Sequence, residues 1–402
     1  MNPPPRTARL VLVTPDGKVV GSLPPIPLAT PWWQDIGPLV AAVRDRRGLD
    51  ITVLRLLEGS LPKPPGGEVT YLAEVHRAPA DVEPWPGVLR DEALRLSYAR
   101  PGGPAADLGW ARARLAERDV AIAGPPEQIR TWNLSSLWRI PCDGGAAWLK
   151  VVPGFFAHEG ALLAHLAGGR VPRLLAHDGA RCLLAELQGE DLYEATLAQR
   201  VAMIDVLTPL QAEQAASVDD LLALGLPDWR GGPLTAAIRS VADRTAAELS
   251  EQDSATLAPF LDDLPGRLAA IDDCGLPDTL VHGDFHSGNF RGGGGELTLL
   301  DWGDSGVGNP LLDQPAFLDR APAGQVPALR EHWRDRWREH APGSDPARAA
   351  QLIAPVAAAR QAVIYRGFLD RIEPSEHPYH RADPADWLAR TAAILREETG
   401  SL

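Results

Sequence analysis

Lysine and cysteine are both scarce in this chain, three of each in 402 positions, and each scarcity excludes something. Cys142, Cys182 and Cys274 are scattered, odd in number and free of any CxxC spacing, which excludes a disulfide framework and a thiolate zinc site and predicts a reducing compartment. Basic residues number 39 against 53 acidic ones, for a net charge of −14. Nucleic acid calls for clustered Lys and Arg, so it is not an expected partner. An acidic surface suits amine-bearing substrates, although solubility alone is the commoner reason for one. No apolar run is long enough to span a membrane, and the start MNPPPRTAR is not followed by a long apolar signal core. The expected location is the cytoplasm. Lysine is rare while alanine, arginine, proline and glycine are abundant, a composition typical of a high-GC bacterial genome. The chain also lacks GxxxxGK[ST] and any GxGxxG after a strand, so neither a P-loop nor a dinucleotide fold is expected. An apolar fraction of 45% over this length supports two or three domains with their own cores.

What is present is chemically specific. The stretch HGDFHSGNF, His282 to Phe290, is followed by LTLLDWGD, Leu297 to Asp304. Asp284 is an acid able to accept the proton of a substrate hydroxyl, Asn289 follows five residues later in the same loop, and Asp301 ends an apolar, strand-like run. A base and two oxygen ligands are what phosphoryl transfer needs, because the migrating group spreads its charge over oxygens that Mg²⁺ neutralises. Magnesium prefers carboxylate and amide oxygens to thiolate or imidazole. Gly292 to Gly295 lie between two strand-like runs and predict a flexible hairpin turn, not a phosphate cradle.

These motifs resemble the catalytic and metal-binding loops of the aminoglycoside phosphotransferase and choline kinase family, small-molecule relatives of the protein kinases. The resemblance is carried by His282, Gly283, Asp284, Asn289, Asp301, Trp302, Gly303, Asp304, Gly308, Asn309, Pro310 and Asp313. It implies ATP and Mg²⁺ as cofactors, Asp284 as the catalytic base, and Asn289 and Asp301 as metal ligands. His282 would brace the loop, and Asp313 would hold the loop backbone from the start of the next helix. Asp304 is open between metal, substrate and turn, with the turn favoured. His286 and Ser287 occupy the place where protein kinases often put a cation beside the transferred phosphate, and for each a solvated loop residue is an equal alternative.

Upstream, AAWLKVVP (Ala146 to Pro153) reads as a strand with one lysine, and HEGALLAHLA (His158 to Ala167) as a helix with an early glutamate. A buried lysine needs a negative partner. Lys150 paired with Glu159 meets that need, and the resemblance implies that Lys150 reaches the ATP phosphates. It also implies that Asn133, Ser135 and Ser136 cover the phosphates, in a loop that lacks glycine. Glu186 and Leu187 would offer backbone groups to adenine at a hinge between lobes.

The first hundred residues lie outside this pattern. An Asp-Gly turn inside Arg9 to Val20 predicts a hairpin, Thr30 and Pro31 open a helix that runs to about Arg47 and stops at Gly48, and strands follow at Ile51 to Leu57 and Val69 to His76. This order is faintly similar to Nudix hydrolases. Ala41, Ala42, Asp45 and Arg46 stand where that family's arginine and glutamates would be, so a Nudix-like fold here would be catalytically dead. ARPGGP, Ala99 to Pro104, reads as a linker into a helix near Asp107 to Glu117. Beyond Asp313 the apolar spacing is helical, with Trp333 and Trp337 on one face. Glu373, Glu376, His377 and His380 read as surface loop near where relatives place substrate-binding loops.

The expected fold is α+β. A protein-kinase-like bilobal fold, with a small N-lobe sheet plus helix (105–187) and a larger helical C-lobe (188–402), is preceded by a small mixed α/β accessory domain (1–100). The expected activity is ATP- and Mg²⁺-dependent phosphoryl transfer to a hydroxyl of a small polar metabolite or antibiotic. The alternatives are a nucleotide-binding pseudokinase or regulatory module, and a Nudix-type hydrolase in the N-terminal domain.

Overall fold

Strands β1 (Arg6–Val13) and β2 (Val19–Leu28) form the first hairpin, closed where Gly17 takes φ +85°. Helix α1 (Gly37–Arg47) then leads to β3 (Thr52–Gly59) and β4 (Gly67–Glu74), and the sheet order is β2-β1-β4-β3. The computed structural model describes residues 4–168, 170–293 and 295–400. The apolar alternation of the strands is explained by two faces. One carries Leu10, Leu12, Val53 and Tyr71 into a core with Leu39 and Val43 of α1, and the other carries Val11, Val13, Leu54 and Leu72 under Trp85 and Leu89.

Helix α1 ends as the sequence predicts, with Gly48 left-handed at φ +61°, but begins seven residues beyond Thr30. The physical reason is the buried Arg6, whose guanidinium donates to Thr30 Oγ1 (2.9 Å) and to the Asp35 carbonyl (2.8 Å) and also bonds the Trp32 carbonyl. Trp33 donates from Nε1 to the Gly66 carbonyl at 2.7 Å. These bonds hold residues 30–36 out of helix, and Pro38, not Pro31, takes the first-turn place.

Helix α2 (Gly103–Ala116) precedes β5 (Glu127–Trp132), β6 (Ser135–Cys142), β7 (Gly145–Val151), helix α3 (His158–His165), β8 (Leu174–Asp178) and β9 (Arg181–Ala185). The second sheet has order β5-β6-β7-β9-β8, with every neighbouring pair antiparallel. Leu108, Ala111 and Leu115 of α2 pack on Trp138, Ile140, Leu149 and Leu183 of this sheet. The stretch 99–104, read as a linker, is tied into the fold at its start. Tyr98 and Ala99 are buried, Tyr98 Oη donates to the Trp132 carbonyl (2.8 Å), and Arg55 Nη1 donates to the Ala99 carbonyl (2.9 Å).

The chain divides into two compact units, the first being Met1–Gly160, Leu174–Glu186 and Phe368–Arg381 and the second Ala161–Arg173, Leu187–Gly367 and Ala382–Leu402. Both sheets belong to the first unit, joined by the buried Gln128, which accepts from Val53 N (2.9 Å) and donates to Val53 O (2.7 Å). The side chain thus replaces a strand at the β3 edge. Residues 368–381 join the same unit, which corrects the surface loop expected there. Glu373, Glu376 and His380 are buried, Glu376 Oε1 accepts from Leu56 N (2.8 Å), and Tyr379 meets Trp33 and Trp132 edge-on at 5.7 and 5.6 Å.

The second unit contains β10 (Glu190–Asp191), helix α4 (Leu197–Gln214), short helices between 218 and 272, then β11 (Thr279–Val281), β12 (Phe290–Gly293), β13 (Glu296–Leu299) and β14 (Gly306–Gly308). Helices α9 (Gln314–Asp319), α10 (Val326–His340), α11 (Pro346–Leu369) and α12 (Asp383–Gly400) follow when α5 to α8 denote Val218–Ala223, Gly231–Thr245, Glu251–Asp262 and Leu264–Asp272. Thr196 and Gln199 cap α4 reciprocally. Trp333 and Trp337 are fully buried on one face of α10, and Trp333 meets Phe285 at 5.5 Å. Of the glycines read as a turn, Gly292 and Gly293 are strand residues, Gly295 turns at φ +90°, and Gly294 lies outside the described residues.

Candidate active site

The loop after β11 and the hairpin β12–β13 build one site in the second unit. Phe290 pairs with Leu299 at the hairpin's open end, so the residues just beyond, Asn289 and Leu300, are neighbours. Leu300 N donates to the Asn289 carbonyl at 2.8 Å, and the Leu300 carbonyl accepts from His282 Nε2 at 2.9 Å. Both backbone polar groups of Leu300 are therefore fixed to the loop, and the next residue is Asp301. Its backbone is left-handed, φ +61° and ψ +68°, a conformation costly for a non-glycine residue and typical of functional positions.

Asp284 is half-buried and has three side-chain partners. Asn289 Nδ2 donates to its Oδ2 (3.2 Å) and to its carbonyl (2.8 Å), His286 Nε2 lies 3.3 Å from Oδ2, and Arg320 Nη1 lies 3.2 Å from Oδ1. Burial alone pushes the Asp284 carboxyl up, but the His286 hydrogen bond and the charge of Arg320 outweigh it and hold the group well below the usual carboxylate range. It is an ionised acceptor. Since Gly288 N donates to His286 Nδ1 (2.9 Å), the ring proton that faces Asp284 is on Nε2.

His282 is fully buried against Trp302, with ring centroids 4.6 Å apart. Nε2 donates to Leu300, Nδ1 accepts from Asp284 N (3.3 Å), and burial pushes its pKa down, so it is a neutral brace. Asp313, also buried, accepts from His282 N (2.8 Å), Gly283 N (2.8 Å) and Gln211 Nε2 (2.9 Å). The Gly283 carbonyl accepts from Arg360 Nη2 (2.9 Å) and Gln361 Nε2 (3.2 Å) of α11. Gly283 has φ +91°, and a Cβ there would lie 2.0 Å from the Asp304 carbonyl oxygen, so glycine is what lets the two loops touch. Trp302–Asp304 is a single 3₁₀ turn, with the Asp304 side chain half-buried. Ser287 Oγ accepts from the buried Arg200 Nη1 of α4 at 3.1 Å, so a cation stands behind the loop.

The donor set suits a hard cation. Asn289 directs its amide nitrogen at Asp284 and so keeps its oxygen as the acceptor, and Asp301 adds a carboxylate; magnesium bound to so few protein ligands completes its shell with water and substrate phosphates. Among the described residues no group of three or more His, Cys, Asp or Glu side chains could hold a metal.

In the first unit, Lys150 on the central strand β7 pairs with Glu159 at 2.7 Å, with side chains 13% and 3% exposed. Gly160 makes this possible, because a Cβ there would meet His177 Cβ at 2.6 Å and Cys182 Sγ at 3.0 Å, so α3 seats directly on β8 and β9. The structure also shows what three other groups of expected residues bond within the protein. Asn133 is buried and its amide is bonded to the Glu376 carbonyl (3.2 Å) and to His380 Nε2 (3.1 Å). Ser135 and Ser136 accept from Trp132 Nε1 (3.2 Å) and Trp138 Nε1 (3.0 Å). These side chains are held in place by the protein itself. The Glu186 amide donates to the Ala146 carbonyl (3.2 Å), which extends the β7–β9 ladder; Glu186 ends a segment of the first unit and Leu187 begins one of the second.

The fold is that of the protein-kinase-like small-molecule kinases. A choline kinase from Cryptosporidium parvum aligns with a TM-score of 0.51 at 10% identity over 74% of this chain and 96% of its own, and a choline/ethanolamine kinase family protein from Mesorhizobium loti with 0.50 at 17% over 72% and 94%. The macrolide 2'-phosphotransferase MphH of Brachybacterium faecium gives 0.48 at 19% identity over 68% and 97%. Residues 143–352 match the model of the phosphotransferase enzyme family, and the chain belongs to that family. It is a small-molecule kinase with an alcohol group as acceptor. No curated relative matches the sequence. None of these comparisons supports the Nudix likeness of the N-terminal residues.

Proposed function

We propose that the protein transfers the γ-phosphoryl group of ATP, with Mg²⁺, to a hydroxyl of a small polar metabolite or antibiotic. Asp284 orients that hydroxyl and takes its proton, Asn289 and Asp301 hold the metal, and Lys150, fixed by Glu159, binds the nucleotide phosphates. Magnesium supplies neutralisation of charge on the phosphoryl oxygens. Residues 1–100 serve as an accessory domain, 105–187 as the nucleotide-covering lobe, and 188–402, less the segment 368–381, as the catalytic lobe. The observation that carries this reading is the hairpin end, where the Asn289–Leu300 bond sets Asp301 beside a loop whose Asp284 is ionised and held on both oxygens.

Among the described residues no helix is long and apolar enough to cross a membrane, and Cys142, Cys182 and Cys274 are free and buried. Both observations support a cytoplasmic site of action. The test is a screen of amino sugars, aminoglycosides, macrolides, choline and amino alcohols with ATP for the mass gain of one phosphate, repeated with EDTA and with Asp284→Asn. The reading expects a product that disappears in both controls. A product formed equally by Asp284→Asn sinks it, and so does chelator-resistant transfer.

A further inference from the structure

The two oxygens of Asp284 are not equivalent. Oδ2 has two donors, Asn289 Nδ2 at 3.2 Å and His286 Nε2 at 3.3 Å, which together fill its two lone pairs. Among the described residues Oδ1 has one, Arg320 Nη1 at 3.2 Å, from an arginine whose side chain is half exposed. A lone pair of Oδ1 is thus left for an incoming hydroxyl, and at 36% exposure the carboxylate is within its reach.

His286 is itself fixed. It opens the 3₁₀ turn Ser287–Asn289 from extended backbone, its Nδ1 accepts from Gly288 N (2.9 Å), and its carbonyl accepts from Asn289 N (3.0 Å). A Cβ on Gly288 would lie 2.8 Å from His286 Cε1 and 2.5 Å from Tyr193 Cε1, so glycine is what lets both rings pack on the turn. Tyr193 is tied to the same turn through its carbonyl, which accepts from Ser287 Oγ at 3.3 Å. The imidazole is left 14% exposed. With Nδ1 engaged as an acceptor its proton sits on Nε2, so the ring is a neutral donor to Asp284 and not a cation beside the transferred phosphate.

We propose that His286 is a positioning residue of phosphoryl transfer, one that occupies Oδ2 of Asp284 so that Oδ1 takes the proton of the acceptor hydroxyl. The proposal rests on the phosphotransfer reading given above. In that step the hydroxyl O–H bond breaks and its proton passes to Oδ1, while the oxygen's electron pair forms the new P–O bond. The bond from the γ-phosphorus to the bridging oxygen breaks, and its pair leaves with ADP. Two donors on Oδ2 hold the carboxylate plane while Oδ1 works.

Two substitutions separate the bonds of this ring. An asparagine oxygen falls where Nδ1 lies and keeps the Gly288 bond, whereas a glutamine amide nitrogen falls where Nε2 lies and keeps the Asp284 bond. Turnover of ATP with magnesium chloride is measured in the full chain, with water and with each compound of the screen as acceptor. His286→Asn is expected to lower kcat about tenfold or more with the ATP KM little changed, and His286→Gln to recover most of it. Correlation spectra of the full chain carrying ¹⁵N-labelled histidine, with the His286 signals assigned by their loss in either variant, are expected to show a proton on Nε2 and a bare Nδ1. Thermal melts establish that the variants are folded, and the ring proton decides where one is not. The proposal is overturned by a proton on Nδ1, by His286→Asn turning over as fast as His286→Gln, or by a loss that falls on the ATP KM. It is equally overturned if His286→Lys outpaces the parent, the result for a cation on the phosphate. The phosphotransfer reading fails differently and takes the proposal with it: no magnesium-dependent turnover, or Asp284→Asn as active as the parent, with the Nε2 proton still in place.

Discussion

Asp284 owes its state to His286 and Asn289 of its own loop and to one side chain remote in sequence. Arg320 follows α9 and reaches Oδ1 at 3.2 Å, with half of its own side chain exposed. It acts through Asp284, holding the carboxylate in one orientation. Replacing it with methionine is expected to lower kcat about tenfold, about 1.4 kcal/mol of barrier, with nucleotide KM little changed and partial recovery in Arg320→Lys. Steady-state kinetics against both substrates check this, and a fall in nucleotide affinity alone would contradict it. Glu376 gives a stability prediction with a definite sign. Burial raises its folded pKa to about 8 from an ordinary 4.5, so the folded state holds a proton that the unfolded chain releases. The stabilisation is complete below about 4.5 and is lost as pH rises through about 8. Melting temperatures should fall with pH between these limits in the parent, and Glu376→Gln, which keeps an acceptor for Leu56 N, should flatten that fall. An unchanged slope in the variant would sink this account of Glu376.

At the scale of elements, the loop of residues 282–289 is rigid because other elements hold its backbone. Asp313, Gln211 of α4 and Arg360 of α11 bond it or one another, and each is buried. Asp313→Ala removes the acceptor of three donors, and each orphaned buried donor costs about 1–3 kcal/mol, so a large fall in melting temperature is expected along with lost activity. Gly283→Ala should abolish activity with a smaller loss of stability, because the Cβ would strike the Asp304 carbonyl and part the two loops. These predictions also show what was legible in the sequence. Asp284, Asn289, Asp301 and Asp313 stood in one spaced motif, and Lys150 and Glu159 in the periodicity of a strand and a helix. Gln211, Arg200, Arg320 and Arg360 had no such signal, since each is a single polar residue in a helical pattern that meets the loop only through tertiary packing. The partners of Asn133, Ser135 and Ser136 were hidden for a related reason. Residue type could not reveal that Trp132, Trp138 and the segment 373–380 bind those side chains.

For the whole molecule, the family match spans residues 143–352, while the first unit also holds the N-terminal sheet and the returning segment 368–381. Gln128 and Glu376 each bond the backbone of β3, which is why that sheet belongs with the kinase-type sheet in one unit and not beyond a linker. The sequence pattern of hairpin, helix and two strands was readable, but the union of the sheets was not, because it rests on two buried polar side chains that nothing local distinguishes.

The division of labour between Asp284 and Asp301 is the centre of the account, and the most direct measurement sets nucleotide affinity beside turnover in Asp284→Asn and Asp301→Asn. Asp284→Asn is expected to bind ATP–Mg²⁺ as the parent does while turnover falls about 10²–10⁴-fold, the range for loss of a general base. Asp301→Asn is expected to lose both. Unchanged turnover in Asp284→Asn, or full nucleotide affinity and turnover in Asp301→Asn, would contradict it.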